Sequence, residues 1–170
     1  MTKLRDSIPL QATKDWLEQF VLRHNLCPFA HRPHQQQLIR YHLCQSIEMS
    51  DIVLDFLREL DLLDQSVAQT TLIVYPSQLS DFENYLDFVA LLELVLAEEK
   101  LSDRYQLASF HPDYVFADST STDPANKTNQ SPFPMVHILR CADVFRARQD
   151  HPNTEDIPIR NIQLLRTLFR

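Results

Sequence analysis

Glycine is absent from all 170 residues, where about 7% is usual in globular chains. Its absence excludes the phosphate-cradling P-loop, the G-x-G-x-x-G dinucleotide turn and the G-x-S-x-G nucleophile elbow. Nucleotide-hydrolase and α/β-hydrolase readings fall on this ground alone. Positions that need φ > 0 are expected to go to Asn or Asp, which tolerate the left-handed region best after glycine.

Cations are scarce as well. Sixteen basic residues stand against 23 acidic ones, a net charge of −7, and Lys and Arg occur singly. Polynucleotide binding needs clustered cations to displace counterions, so no nucleic-acid partner is expected. The three cysteines, Cys27, Cys44 and Cys141, are widely spaced and form no C-x-x-C pair. No apolar stretch approaches the ~18–20 residues of a membrane span, and no charged–apolar–small leader opens the sequence. The expectation is a cytoplasmic protein with reduced thiols and no membrane partner. With 44% hydrophobic residues, residues 1–170 can form one domain with a real core.

Hydrophobic spacing predicts a helix over Ala12–His24, with Thr13 as N-cap and Asn25 as a left-handed C-cap. Gln37–Cys44 alternates as a strand, with Ile39, Tyr41 and Leu43 facing one way and Arg40, His42 and Cys44 the other. An amphipathic helix over Ser50–Leu63 and a β-branched strand over Thr70–Tyr75 follow. The S-x-x-E capping box at Ser80–Glu83 opens a helix to about Lys100. Its expected core face is Phe82, Leu86, Val89, Ala90, Leu92, Leu94 and Val95. Tyr105–Phe110 and Met135–Leu139 read as strands, Ala142–Arg148 and Ile157–Phe169 as closing helices. The fold class is α/β or α+β: a four-stranded mixed, mostly parallel sheet with helices packed against it. Cys44, Pro76 and His111 should then share the edge at the strand carboxyl ends, where ligands of open α/β sheets bind.

The chemistry-bearing residues concentrate between the last two strands. This segment lacks hydrophobic periodicity yet carries His111, Asp113, Tyr114, Asp118, Asp123, Asn126, Lys127, Asn129 and Ser131. Structureless loops beyond about 12–15 residues are functional or disordered, and Phe110, Pro112, Phe116 and Phe133 argue against disorder.

Three segments resemble a bacterial family of uncharacterised proteins grouped as domain of unknown function 1415. They are Asn25–Ala30 (NLCPFA), Gln106–Ala117 (QLASFHPDYVFA) and Thr128–Arg140 (TNQSPFPMVHILR), with a weaker likeness over Ile157–Leu165. The resemblance implies a shared site but no activity. The sequence departs from the family pattern at Gln130, where arginine is expected, and at Cys141, where glutamate is expected. Losing both charges together points to an ion pair between those two positions, replaced here by neutral groups.

The resulting expectation is a small enzyme of unknown reaction acting on a small polar or anionic metabolite, with a small molecule as partner. The sequence leaves the cofactor and the oligomeric state open. His111 would serve as general acid–base and Cys27, near it in space, as the thiol. Asn126, Asn129, Ser131 and Tyr114 would orient the ligand, and Arg140 would clamp an anion or pair with Asp143. A strand-end His111 should fill little core volume and tolerate truncation, whereas His137 reads as a packed core histidine. The alternatives are a non-catalytic binding protein with an apolar patch under the loop, and a metal site of Cys27, His111 and His137.

Overall fold

Thr70–Val74 (β2) is buried at every position, as a β-branched strand covered on both faces must be. It lies inside a four-stranded sheet with Ile39–Leu43 (β1), Tyr105–Phe110 (β3) and Met135–Arg140 (β4), in the order β1-β2-β4-β3. The structure is a computed structural model that describes residues 2–151 and 153–170. β1 pairs parallel with β2, while β4 runs antiparallel to both β2 and β3. The sheet is therefore mixed, with one parallel pair, and not mostly parallel. β4 returns into the slot between β2 and β3, where Met135, Val136 and Ile138 are fully buried.

The register aligns Leu43 with Val74, and both Val74 and Phe110 with Met135. The carboxyl ends of β1, β2 and β3 thus form one row, and Cys44, Pro76 and His111 follow along that edge, as the sequence predicts.

Helices α3 (Met49–Asp64) and α4 (Phe82–Glu98) cover one face, packing Phe56, Leu60, Phe88 and Leu92 on Ile73, Val136 and Ile138. On the other face lie α1 (Thr2–Trp16), its π-helical continuation Leu17–Leu22, and α6 (Asp156–Leu168). There Leu17, Val21, Leu26 and Leu165 cluster with Ile39 and Tyr41 of β1. The short α2 (His31–Gln35) and α5 (Cys141–Asp150) complete the helices. Among the described residues, no helix is long and apolar enough to cross a membrane.

Three local expectations are corrected. Thr13 lies inside α1 instead of capping it, because its hydroxyl donates to the Pro9 carbonyl four residues back at 2.8 Å. The α4 cap is Asp81, one residue past Ser80, whose carboxylate accepts from the Asn84 N–H at 2.9 Å. The buried face of α4 is Tyr85, Phe88, Leu92 and Leu96, which leaves Leu86, Ala90 and Leu94 in solvent. The rotation has an identifiable cause. Tyr85 donates its hydroxyl proton to the Met135 carbonyl at 2.7 Å and accepts from the Phe110 N–H at 2.8 Å. An apolar helix with several candidate faces is set by the one polar group that must be satisfied inside.

Helix ends that would ordinarily use glycine use Asn25, Gln37 and Lys100 at φ 51°, 56° and 58°. Each closes a Schellman motif; at α4, Leu101 donates to Leu96 at 2.7 Å and Lys100 to Ala97 at 3.1 Å. The expectation of Asn or Asp holds at Asn25 and Asn153, whereas Gln37, Leu79 and Lys100 carry the left-handed cost themselves. Lys100 is exposed, so Lys100→Gly removes Cβ strain without losing packing. Thermal melts should show it stabilised by about 0.5–1 kcal/mol, the left-handed penalty less the entropy glycine loses.

Candidate functional site

His111 begins the long segment and is fully buried. The expectation that it fills little core volume is not met. Its ring packs against both Phe82 and Tyr85 of α4, at centroid distances of 5.2 and 5.0 Å. Nδ1 accepts from the Asp113 N–H at 3.0 Å, which leaves Nε2 to donate to the Leu79 carbonyl at 3.0 Å. Both ring nitrogens are therefore committed to main chain, and the Nε2–H tautomer is fixed. Leu79 itself sits at φ 60°, so the histidine bonds the one carbonyl of the β2–α4 connection held in the left-handed region.

The remainder of the segment closes on itself. Asn126 is fully buried; its Oδ1 accepts from Phe116 N at 3.1 Å and its Nδ2 donates to the Thr120 carbonyl at 2.7 Å. Asn129 donates Nδ2 to the Ser109 carbonyl at 3.1 Å, and its own carbonyl accepts from His111 N at 3.1 Å. Ser131 donates its hydroxyl to the Phe133 carbonyl at 2.7 Å. Tyr114 tilts against Phe82 at 5.2 Å and meets Phe116 edge-on at 5.1 Å, and its carbonyl accepts from Gln130 Nε2. A 3-10 turn, Pro124–Thr128, packs under α6, where Arg166 pairs with Asp123 at 2.6 Å and Lys127 lies 4.8 Å from the Phe169 ring centre. That pairing holds the Asp123 carboxyl down at about 2. The segment thus straps the strand-end edge from α4 on one face to α6 on the other.

Arg140 points the opposite way. Its guanidinium donates to the carbonyl of Leu63 in the last turn of α3, where a cation complements the helix dipole, and to that of Ala68 just before β2. Asp143 pairs with Arg146 instead. Cys27 packs in the α1–α6 cluster, on the other face of the sheet from the His111 ring. Burial pushes its thiol pKa up, so the thiolate is disfavoured. Among the described residues no hydrogen bond joins Cys27 to residues 109–140, and no His, Cys, Asp or Glu group could hold a metal ion. His137 bonds Thr70 through Nε2; the Thr70 proton goes to the Ile138 carbonyl, so the ring donates. The ion pair inferred for positions 130 and 141 is not feasible here. Gln130 precedes β4 and Cys141 follows it, roughly 20 Å apart at about 3.3 Å per residue.

What the segment leaves open is a cleft of about 650 Å³ beside the first turns of α4, lined by Phe82, Glu83, Leu86, Tyr114, Phe116 and Ser119 among others. Helical spacing does not reveal it, because it places Leu86 in the core.

A second polar group also went unrecognised. Arg40, His42 and Cys44 on one face of β1 meet Glu59 and Asp55, one turn apart on α3. Arg40 pairs with Glu59 at 3.0 Å, and His42 bridges Asp55 at 2.7 Å and Glu59 at 3.3 Å. Strand spacing i, i+2, i+4 opposite helix spacing i, i+4 is the signal that could have found this ladder. Burial first, and then the Asp55 carboxylate, raises the Cys44 thiol to about 12. Cys44 is an inert thiol behind a structural ladder.

The family model described as Protein of unknown function (DUF1415) matches residues 9–170, and the chain belongs to that family. No curated protein and no solved structure matches the chain.

Proposed function

We propose that this member of the family is a non-catalytic binding protein whose cleft between α4 and residues 114–119 takes an apolar, positively charged group. One observation carries the reading: apart from Ser119 and Glu83 the walls are aromatic and aliphatic, and among the described residues Glu83 is the one charge that lines them. Ring faces and a carboxylate attract an apolar cation, and the volume lies within the roughly 300–1,000 Å³ of small-ligand sites.

The enzyme reading, a small polar or anionic metabolite acted on by His111 and Cys27, has less support. Asn126, Asn129, Ser131 and Tyr114 hold the segment together, and the cations that an anion would need bond carbonyls, Asp123 or a ring. His111 has neither nitrogen free for proton transfer.

Titration with 2-phenylethylamine, and with phenylacetate as its anionic counterpart, tests the proposal by amide NMR. The amine should shift residues 82–86 and 114–119 and phenylacetate should not. Phe116→Ala should weaken the amine at least fivefold, the loss of about 1 kcal/mol of aromatic contact. Preference for phenylacetate, or shifts centred elsewhere, would reject the cleft.

A further inference from the structure

The rotation that buries Tyr85 leaves α4 with a second apolar face. Leu86, Ala90, Leu94 and Ala97 recur at i, i+4, i+8 and i+11, a straight line along the helix. All four are exposed, Leu94 by 64% and Leu86 by 37%. Ala90 and Ala97 keep the line low, which lets a second helix approach closely. Helical spacing places Glu93 on one flank and Asp87 and Glu98 on the other, with Glu83 at the cleft end; all four are exposed. No lysine or arginine occurs between Arg58 and Lys100, so α4 has no cation of its own to neutralise them. Leu86 lines the cleft too, and the stripe and the cleft are therefore one continuous surface.

We propose that this surface docks a basic amphipathic α-helix of another polypeptide. The partner's apolar face lies on Leu86–Ala97, its lysines or arginines meet Asp87, Glu93 and Glu98, and one large apolar side chain enters the Phe82–Tyr114–Phe116 cleft. The stripe is about 16 Å long at 1.5 Å per residue, three turns of a partner helix. A second copy of this chain is disfavoured as occupant, because it would bring the same carboxylates together. The proposal rests on the binding reading above and turns its apolar cation into a side chain and its basic flank.

The probe is an 18-residue leucine–lysine peptide patterned as an amphipathic helix, with a scrambled peptide of the same composition, titrated by calorimetry in 150 mM salt. The patterned peptide should bind one to one and the scrambled one at least tenfold more weakly. Leu94→Glu separates the causes. Added negative charge tightens any purely electrostatic attraction, whereas docking on the stripe predicts at least a tenfold loss. Replacing Asp87, Glu93 and Glu98 by lysine should weaken binding by a similar factor. These positions are exposed, so melts should show the variants folded. Equal or tighter binding to Leu94→Glu, equal binding of the scrambled peptide, or a wild-type dimer that Leu94→Glu dissociates would overturn the proposal. Amine binding in the cleft without patterned-peptide binding removes the helix and keeps the cleft. Peptide binding lost in Leu94→Glu, without amine binding, keeps the helix and removes the small-cation reading.

Discussion

His111→Ala should destabilise the protein by about 3–5 kcal/mol, as expected for a fully buried ring that also satisfies two buried main-chain groups. For a chain of this length that is a fall in Tm of roughly 6–20 °C. Three losses add up. The space beside the Phe82 and Tyr85 rings empties, the Asp113 N–H loses its acceptor, and the Leu79 carbonyl loses its donor. The last matters most, because Leu79 stands at φ 60° without glycine's freedom. Residues 79–82 lead into the cleft wall, so the variant should also lose amine binding. His111→Gln can restore the bond to Leu79 and should recover part of the stability. A loss below about 1 kcal/mol for His111→Ala would mean that the ring does not hold these connections together.

That result reverses the expectation drawn from sequence position, and the reason is physical. A polar residue at a strand end next to Pro112 looks exposed when the chain is read one segment at a time. What buries it is α4, some 25 residues earlier, whose orientation no local pattern supplies. The strands were readable because alternation in β1 and β-branching in β2 report burial directly, and the shared edge of Cys44, Pro76 and His111 followed from them. The position of β4 was not readable, since whether a strand returns beside β2 or at the sheet edge depends on contacts across the 111–134 segment. α4 shows the same limit from the other side. It carries apolar residues around most of its circumference, so periodicity offered Leu86 and Leu94 as core. Tyr85 decided otherwise through two hydrogen bonds to β3 and β4. The sequence pointed to residues 109–140 as a segment, and the structure spends the polar side chains of Asn126, Asn129 and Ser131 on main-chain groups of β3 and of that segment. Asn and Ser in a glycine-free loop satisfy its main chain, and the open surface went to the aromatic residues expected to anchor it.

His137 should make stability depend on pH, with a sign set by its surroundings. Burial lowers its pKa from the ordinary 6.5 to about 4, because the ring, half-buried in the fold, has lost part of its water and gained no anion. Between those values the unfolded chain binds the proton and the folded chain does not, so stability falls as pH falls through that window. The linkage amounts to at most about 2 kcal/mol at pH 5 and roughly 3 kcal/mol at pH 4, and almost nothing is lost from this group above pH 7. Carboxylates act lower. Asp123, held at about 2 by Arg166, contributes stability that is lost only below its unfolded value near 3.8. His137→Gln keeps an N–H for the Thr70 hydroxyl and cannot titrate. At pH 7 it should be less stable than the wild type by about 1 kcal/mol, the cost of imperfect packing and a longer bond. On acidification the order should invert, with His137→Gln the more stable protein at pH 5 and below in denaturant titrations. A gap between the two proteins that stays constant from pH 7 to pH 4.5 would show that the folded state accepts the proton on His137, and that the face of the sheet between β4 and α1 admits water.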